Sequence, residues 1–114
     1  MNEAKKDILV GFLVYAIEIL LFYYLWKNNI ALAIAFLLIS FFILFWWADK
    51  FEKFLYFTGF ILGPIGDITV VQAGIWTYGN PTLFGVPVWL PLGYGISTVT
   101  IVKIGKAIMM LVSK

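Results

Sequence analysis

The hydrophobic residues of this chain fall into four long blocks separated by short polar links. The first block, residues 8–26, is interrupted only by Glu18, and the second covers residues 30–47. The third runs over about residues 54–78 and the fourth over about 88–112. A helix needs about 20 mostly apolar residues to cross a bilayer. The pattern therefore predicts four membrane-spanning helices.

The links between the blocks predict how these helices are connected. Only Lys27-Asn28-Asn29 separates the first two blocks, so we expect an antiparallel helical hairpin. Aromatic residues cluster near the predicted ends, where amphipathic rings settle at the membrane surface. We predict an all-α fold: one transmembrane domain, residues 1–114, built as a four-helix bundle.

Composition supports a membrane protein and excludes several other classes. Of the 114 residues, 63% are hydrophobic and 12% charged, with a mean hydropathy of +1.00. Soluble domains have about 25% charged residues, and so short a chain could not bury this apolar excess. The chain contains no cysteine or histidine, which excludes disulfides and most zinc or iron sites. It has no arginine and a net charge of only +2, so we expect no nucleic-acid partner. Because histidine and cysteine are absent, we also expect no metal site.

The lysines predict the orientation of the chain. With four spans, seven of the eight lysines share one side, and Lys27 alone lies on the other. Because lysine-rich segments remain in the cytoplasm, we expect a multi-pass protein with both termini cytoplasmic. Lys103 and Lys106 reach the membrane interface in this arrangement, so we assign them no catalytic role.

Glu18 is a candidate functional residue because it lies near the middle of the first span. An intramembrane acid is costly, so it should face the bundle interior as a proton site or a cation ligand. The alternative is a neutral acid that bonds a neighbouring helix and only fixes the packing.

Asp67 is the second candidate, in a third span that we expect to be interrupted. Pro64 removes a backbone hydrogen bond there, and Gly63 and Gly66 add slack. On a helix that continues to Tyr78, Asp67 shares a face with small residues that admit a ligand or another helix. The alternative is that Asp67 caps a restarted helix.

The third candidate feature is an uncharged outer loop, rich in glycine, proline and aromatic residues, between the third and fourth spans. Two turn signals, Gly79-Asn80-Pro81 and Gly85-Val86-Pro87, suggest that it folds back on the bundle. We interpret it either as a mouth over an apolar pocket or as a rigid turn. The ligand-binding candidates are Gly74, Trp76, Tyr78 and Tyr94.

Part of the chain, about Gly66 to Gly95, resembles the carotenoid hydratase membrane proteins. The resemblance rests on Gly66-Asp67, Gly74-Ile75-Trp76-Thr77-Tyr78, Leu83-Phe84-Gly85-Val86-Pro87 and Pro91-Leu92. Those proteins are much longer, and the first half of this chain shows none of their features. The resemblance implies that Asp67 protonates an isoprenoid double bond, with Trp76 and Tyr78 lining a hydrocarbon pocket.

Three functions remain open, and the sequence identifies neither a cofactor nor a complete catalytic set. We favour a binding or accessory subunit of a membrane complex, with membrane lipids and other membrane subunits or further copies of the chain as partners. The runner-up is an enzyme or binding protein for an isoprenoid or other lipid. The third is a proton-coupled transporter, because the chain resembles the small multidrug-resistance proteins in length, span number and a first-span glutamate. Its lysine bias and the lack of that family's other motifs argue against the third.

Overall fold

The computed structural model describes residues 2–113 and shows four α-helices. They are α1, Glu3–Leu25; α2, Asn29–Phe42; α3, Lys50–Gln72; and α4, Leu90–Val112. A π-helical segment, Ile43–Trp47, extends α2. All four helices, with α2 counted through this extension, are long and apolar enough to cross a membrane. The predicted all-helical fold is therefore confirmed for the described residues.

Polar side chains determine where the first three helices begin. Asn2 and Asn28 each accept a hydrogen bond from the backbone N–H three residues later, at 2.8 and 3.1 Å. Asp49 and Glu52 form a reciprocal capping box, with both side-chain-to-backbone bonds at 2.8 Å. These bonds satisfy N–H groups that have no partner inside a helix.

The central helix of the bundle is α4. It contacts α3 most extensively, then α1, and it also packs on α2. Ile96 and Val99, in its first half, are fully buried. The other helices therefore meet largely through α4.

Glycines on α3 allow this helix to approach α4 closely. A Cβ atom at Gly59 would collide with the Thr98 side chain, and one at Gly63 would collide with the Tyr94 ring. Glycines four residues apart are a common means of bringing two membrane helices together. The α3–α4 interface is thus the tightest in the bundle, and Tyr94 lies within it.

The bundle has two chemically different ends. At the lysine end (residues 2–7, 47–53 and 103–113), Trp47 Nε1 donates to Asp7 Oδ1 at 3.0 Å. At the loop end (residues 26–29 and 73–89), the Asn80 amide donates to the Lys27 carbonyl at 2.9 Å. Consecutive helices therefore alternate in direction.

An ion-pair network around the buried carboxylate of Glu52 holds the lysine end together. Glu52, only 1% exposed, meets Lys103 Nζ at 3.1 Å and Lys106 Nζ at 2.8 Å. Lys106 also reaches Asp49 at 3.1 Å. The Glu52 backbone N–H, aided by Lys106, holds the pKa of the Asp49 carboxyl below its usual value. Sequence reasoning treated Lys103 and Lys106 as lysines that reach for the interface, whereas the structure pairs both with a buried carboxylate.

The structure does not confirm the predicted interruption of the third span. A single α-helix passes through Pro64 and ends at Gln72, six residues before the expected end. Proline removes one N–H from the helix, and the hydrogen bonds on either side continue. The helix stops where Gly74, with φ +80°, donates to Val71 O at 3.0 Å and Ile75 donates to Val70 O at 3.2 Å. This left-handed glycine cap is a common helix terminator.

Candidate binding cavity at the loop end

Asp67 lies near the end of α3 that leads into the loop, and both of its carboxylate oxygens accept hydrogen bonds. It lies on α3 and is 6% exposed. The Tyr94 hydroxyl, from α4, donates to Oδ1 at 2.8 Å, and the Tyr78 hydroxyl, from the loop, donates to Oδ2. Both carboxylate oxygens therefore accept from a phenol, so α3, α4 and the loop are joined at this one side chain.

Tyr78 reaches Asp67 by a route that the sequence analysis did not foresee. We expected Asp67, Gly74 and Tyr78 to share one helical face, but the helix ends before Gly74. The chain turns back at that glycine and returns Tyr78 to the bundle. Burial raises the pKa of the Tyr78 phenol, and its hydrogen bond to Asp67 raises it further. Tyr78 therefore remains a protonated donor throughout the neutral range.

Glu18 lies on α1 and has a sparser set of partners. It is 3% exposed, and the Ser97 hydroxyl lies 3.2 and 3.3 Å from its two oxygens. Gly93 leaves space beside it, since a Cβ atom there would lie 3.9 Å from Glu18 Oε2. A single hydroxyl thus serves both oxygens of this buried acid.

The two acids adjoin the same cavity, which has a volume of about 170 Å³. Asp67 lines it directly, and Glu18 borders it through its neighbours Gly93 and Ser97. Much of the remaining wall is aromatic. The lining residues are Phe22, Asp67, Tyr78, Trp89, Leu90, Gly93, Tyr94 and Ser97.

A second cavity of about 330 Å³ lies between the first and the loop. The two share Phe22, Tyr78 and Trp89 in their walls. Trp26 and Asn80 line the second cavity only. Together they form a cleft, which we call the loop-end cleft, leading from beneath the loop to Asp67.

The loop is fastened to the link between α1 and α2. The Asn29 amide donates to the Asn80 carbonyl at 2.9 Å and to Thr82 Oγ1 at 2.7 Å. The side-chain oxygen Oδ1 of Asn29 accepts from Trp89 Nε1 at 3.1 Å. A tight turn, in which Leu83 and Val86 exchange backbone hydrogen bonds, closes the loop. One asparagine therefore holds both the loop and an aromatic wall of the cleft.

The structure brings some of the predicted site residues together and separates others. Asp67, Tyr78 and Tyr94 converge, and Glu18 adjoins their cavity. Gly74 serves as the helix terminator, and Trp76 is 47% exposed and lines neither cavity of the cleft. Sequence reasoning missed Phe22, Asn29 and Trp89. Asn29 could have been found from the sequence, because it is an amide at the edge of an apolar block. Phe22 and Trp89 could not, because they resemble ordinary aromatic residues at a membrane interface.

No group of three or more acidic side chains able to hold a metal ion occurs among residues 2–113. Comparisons with protein-family models, curated proteins and solved structures find no match to the chain. The function must therefore be argued from the cleft itself.

Proposed function

We propose that the chain is a four-span membrane protein whose loop-end cleft binds a small organic cation with an apolar body. Asp67 would be the anionic anchor, and the aromatic wall would hold the apolar part. In this proposal the lysine end faces the cytoplasm, as the lysine distribution favours. The cleft then opens on the opposite side.

The observation that carries the proposal is the pair of phenols on Asp67. An ionised carboxylate only accepts hydrogen bonds, and here a phenol donates to each oxygen. Charge-assisted hydrogen bonds of this kind are about twice as strong as neutral ones. A buried carboxylate that accepts two hydrogen bonds at the wall of a cavity favours a positively charged ligand.

The wall of the cleft supports the same ligand class. Phe22, Tyr78 and Trp89 are shared by its two cavities. Aromatic faces attract organic cations, by up to about 2 kcal/mol where water is excluded. Among residues 2–113, no lysine lines either cavity. A quaternary or protonated amine with an apolar substituent matches this combination of acid and rings.

The same geometry bears on the other hypotheses. Protonation of an isoprenoid requires Asp67 to present a proton to the cavity, and two phenols that already donate to it favour an acceptor role instead.

Proton-coupled transport is the second candidate, because Glu18 lies beside the same cavity with one hydroxyl for two oxygens. A role as a binding or accessory subunit, alone or with further copies, is compatible with a cation site. Native mass spectrometry would test assembly.

Equilibrium dialysis of the full chain in a neutral detergent would test the proposal. The probe is benzyltrimethylammonium, and benzylsulfonate is the anion of comparable size. We expect saturable retention of the cation only. Asp67→Asn should weaken it at least about tenfold, which corresponds to about 1.4 kcal/mol.

Asp49→Asn is the matched control. It removes one negative charge at the lysine end, and asparagine caps a helix as well as aspartate does. Its cation affinity should equal that of the wild type. Equal affinity of wild type and Asp67→Asn would refute the site, and retention of geraniol in place of the cation would favour the isoprenoid hypothesis.

A further inference from the structure

A second, wholly apolar groove lies on the opposite half of the molecule, between α1 and α2. It has a volume of about 400 Å³. Its α1 wall spans Val10 to Ile17, about 10 Å along the helix axis at 1.5 Å per residue. The lining residues, which we call the α1–α2 groove, are Val10, Leu13, Val14, Ile17, Leu38, Ile39 and Phe42. None of them lines the loop-end cleft.

The groove continues toward the lysine end along one face of α1. Lys6, Val10, Leu13 and Ile17 follow the i, i+4, i+7, i+11 spacing of a single helical stripe. Lys6 is exposed, and no salt bridge involves it among residues 2–113. The adjacent acid, Asp7, instead bonds Trp47 and lies 3.9 Å from Lys103. An apolar trough therefore leads to an available cation.

We propose that the α1–α2 groove is a binding site for an anionic phospholipid, with an acyl chain in the trough and the phosphate at Lys6. The groove is apolar along its length and has a positive charge at one end. This arrangement favours a lipid over a transmembrane helix of a second copy. A lipid is apolar along its chain and carries its charge at one end, as this surface requires.

Native mass spectrometry of the full chain, titrated with lipid in a neutral detergent, would test this proposal. The probes are palmitoyl-oleoyl phosphatidylglycerol and the phosphatidylcholine with the same chains. We expect one phosphatidylglycerol to bind at concentrations that leave phosphatidylcholine unbound. Lys6→Gln should lower this affinity about fivefold, because an ammonium near the membrane surface contributes about 1 kcal/mol. Lys5→Gln, 100° around the helix, should lower it less.

Filling the trough provides an independent test. Leu13→Trp should abolish binding, whereas Leu9→Trp, on another face of α1, should not. The two leucines are 53% and 50% exposed, so neither change disturbs the core. Equal losses in Lys5→Gln and Lys6→Gln, or unchanged binding in Leu13→Trp, would overturn the site. Loss of a dimer in Leu13→Trp, with no lipid bound to the wild type, would assign the groove to a second copy instead.

Discussion

Gly63 leaves room for the Tyr94 ring, and through that ring it sets where the Tyr94 hydroxyl meets Asp67. The ring lies against α3 where any side chain would collide with it. Gly66, one turn further on the same helix, has nothing within 4 Å of its Cβ position. The two glycines therefore have different roles despite their proximity.

Alanine at these two positions should have opposite effects. Gly63→Ala should lower the free energy of unfolding by about 1–3 kcal/mol, the usual cost of overpacking. Gly66→Ala should be neutral or stabilising by up to about 1 kcal/mol, because alanine favours the helix. Denaturant unfolding in mixed micelles measures both.

Cation binding separates stability from site geometry. Gly63→Ala should also weaken the retention of benzyltrimethylammonium, since the Tyr94 hydroxyl moves away from Asp67. Gly66→Ala should retain it fully. Equal affinity in both variants would mean that Tyr94 does not position the anchor.

The sequence could identify the acids but not their partners. Glu18 and Asp67 are conspicuous because charged residues are costly within apolar blocks. That the Tyr94 hydroxyl meets Asp67 depends on how closely α3 and α4 approach, and two glycines do not specify which ring fills the space. Ser97 likewise meets Glu18 only because α1 packs beside α4.

At the level of elements, the loop is a fixed wall of the cleft. Its conformation depends on Asn29, whose side chain donates to Asn80 and Thr82 and accepts from Trp89. Neighbouring Asn28 instead caps α2 by accepting from the Ala31 N–H. Two neighbouring asparagines thus have different structural roles: Asn28 caps a helix, and Asn29 holds the loop.

Asn29→Asp should loosen the loop. A carboxylate cannot donate to the Asn80 carbonyl, so a hydrogen bond worth about 1 kcal/mol is lost. A carboxylate oxygen of the new aspartate then faces the Asn80 carbonyl oxygen and repels it. We expect hydrogen exchange in residues 78–88 to accelerate severalfold. Mass spectrometry of peptic fragments measures this.

Asn28→Asp makes the same chemical change one residue earlier. Aspartate keeps the helix cap, so exchange in the loop should match that of the wild type. Identical loop exchange in Asn29→Asp and wild type would show that other contacts hold the loop.

Proline and glycine were harder to interpret at this scale than the apolar blocks were. The blocks predicted all four helices because each is mostly apolar and about as long as a helix that crosses a bilayer. Pro64 suggested a break, yet one missing N–H did not end α3. Gly74 ended it instead, through a left-handed conformation that the sequence permits without requiring.

At the scale of the whole molecule, consecutive helices alternate in direction. Lys5, Lys6, Lys103 and Lys106 therefore lie at one end of the bundle, and Lys27 lies at the other. If the positive-inside rule sets the orientation, that first end faces the cytoplasm. The wild-type chain has no cysteine, so single-cysteine variants can be labelled without background. Thr77 and Ser113 are exposed at opposite ends.

Thr77→Cys should react with a membrane-impermeant maleimide in intact cells. Ser113→Cys should react only after permeabilisation, because we expect it to face the cytoplasm. A gel shift of the labelled protein measures both. The reverse pattern would overturn the orientation, and labelling of both from one side would overturn the four-span topology.

The position of α4 in the chain has a consequence for biosynthesis. Tyr94, which bonds Asp67, and Ser97, which bonds Glu18, both lie on α4, the fourth helix in chain order. Until it inserts, Glu18 and Asp67 lack these partners, and α1 and α3 lack the helix that joins them. The bundle therefore remains incomplete until α4 has been synthesised and inserted. A product that stops before residue 90 would lack the Ser97 partner of Glu18 and the Tyr94 partner of Asp67, a feature by which membrane quality control could recognise it.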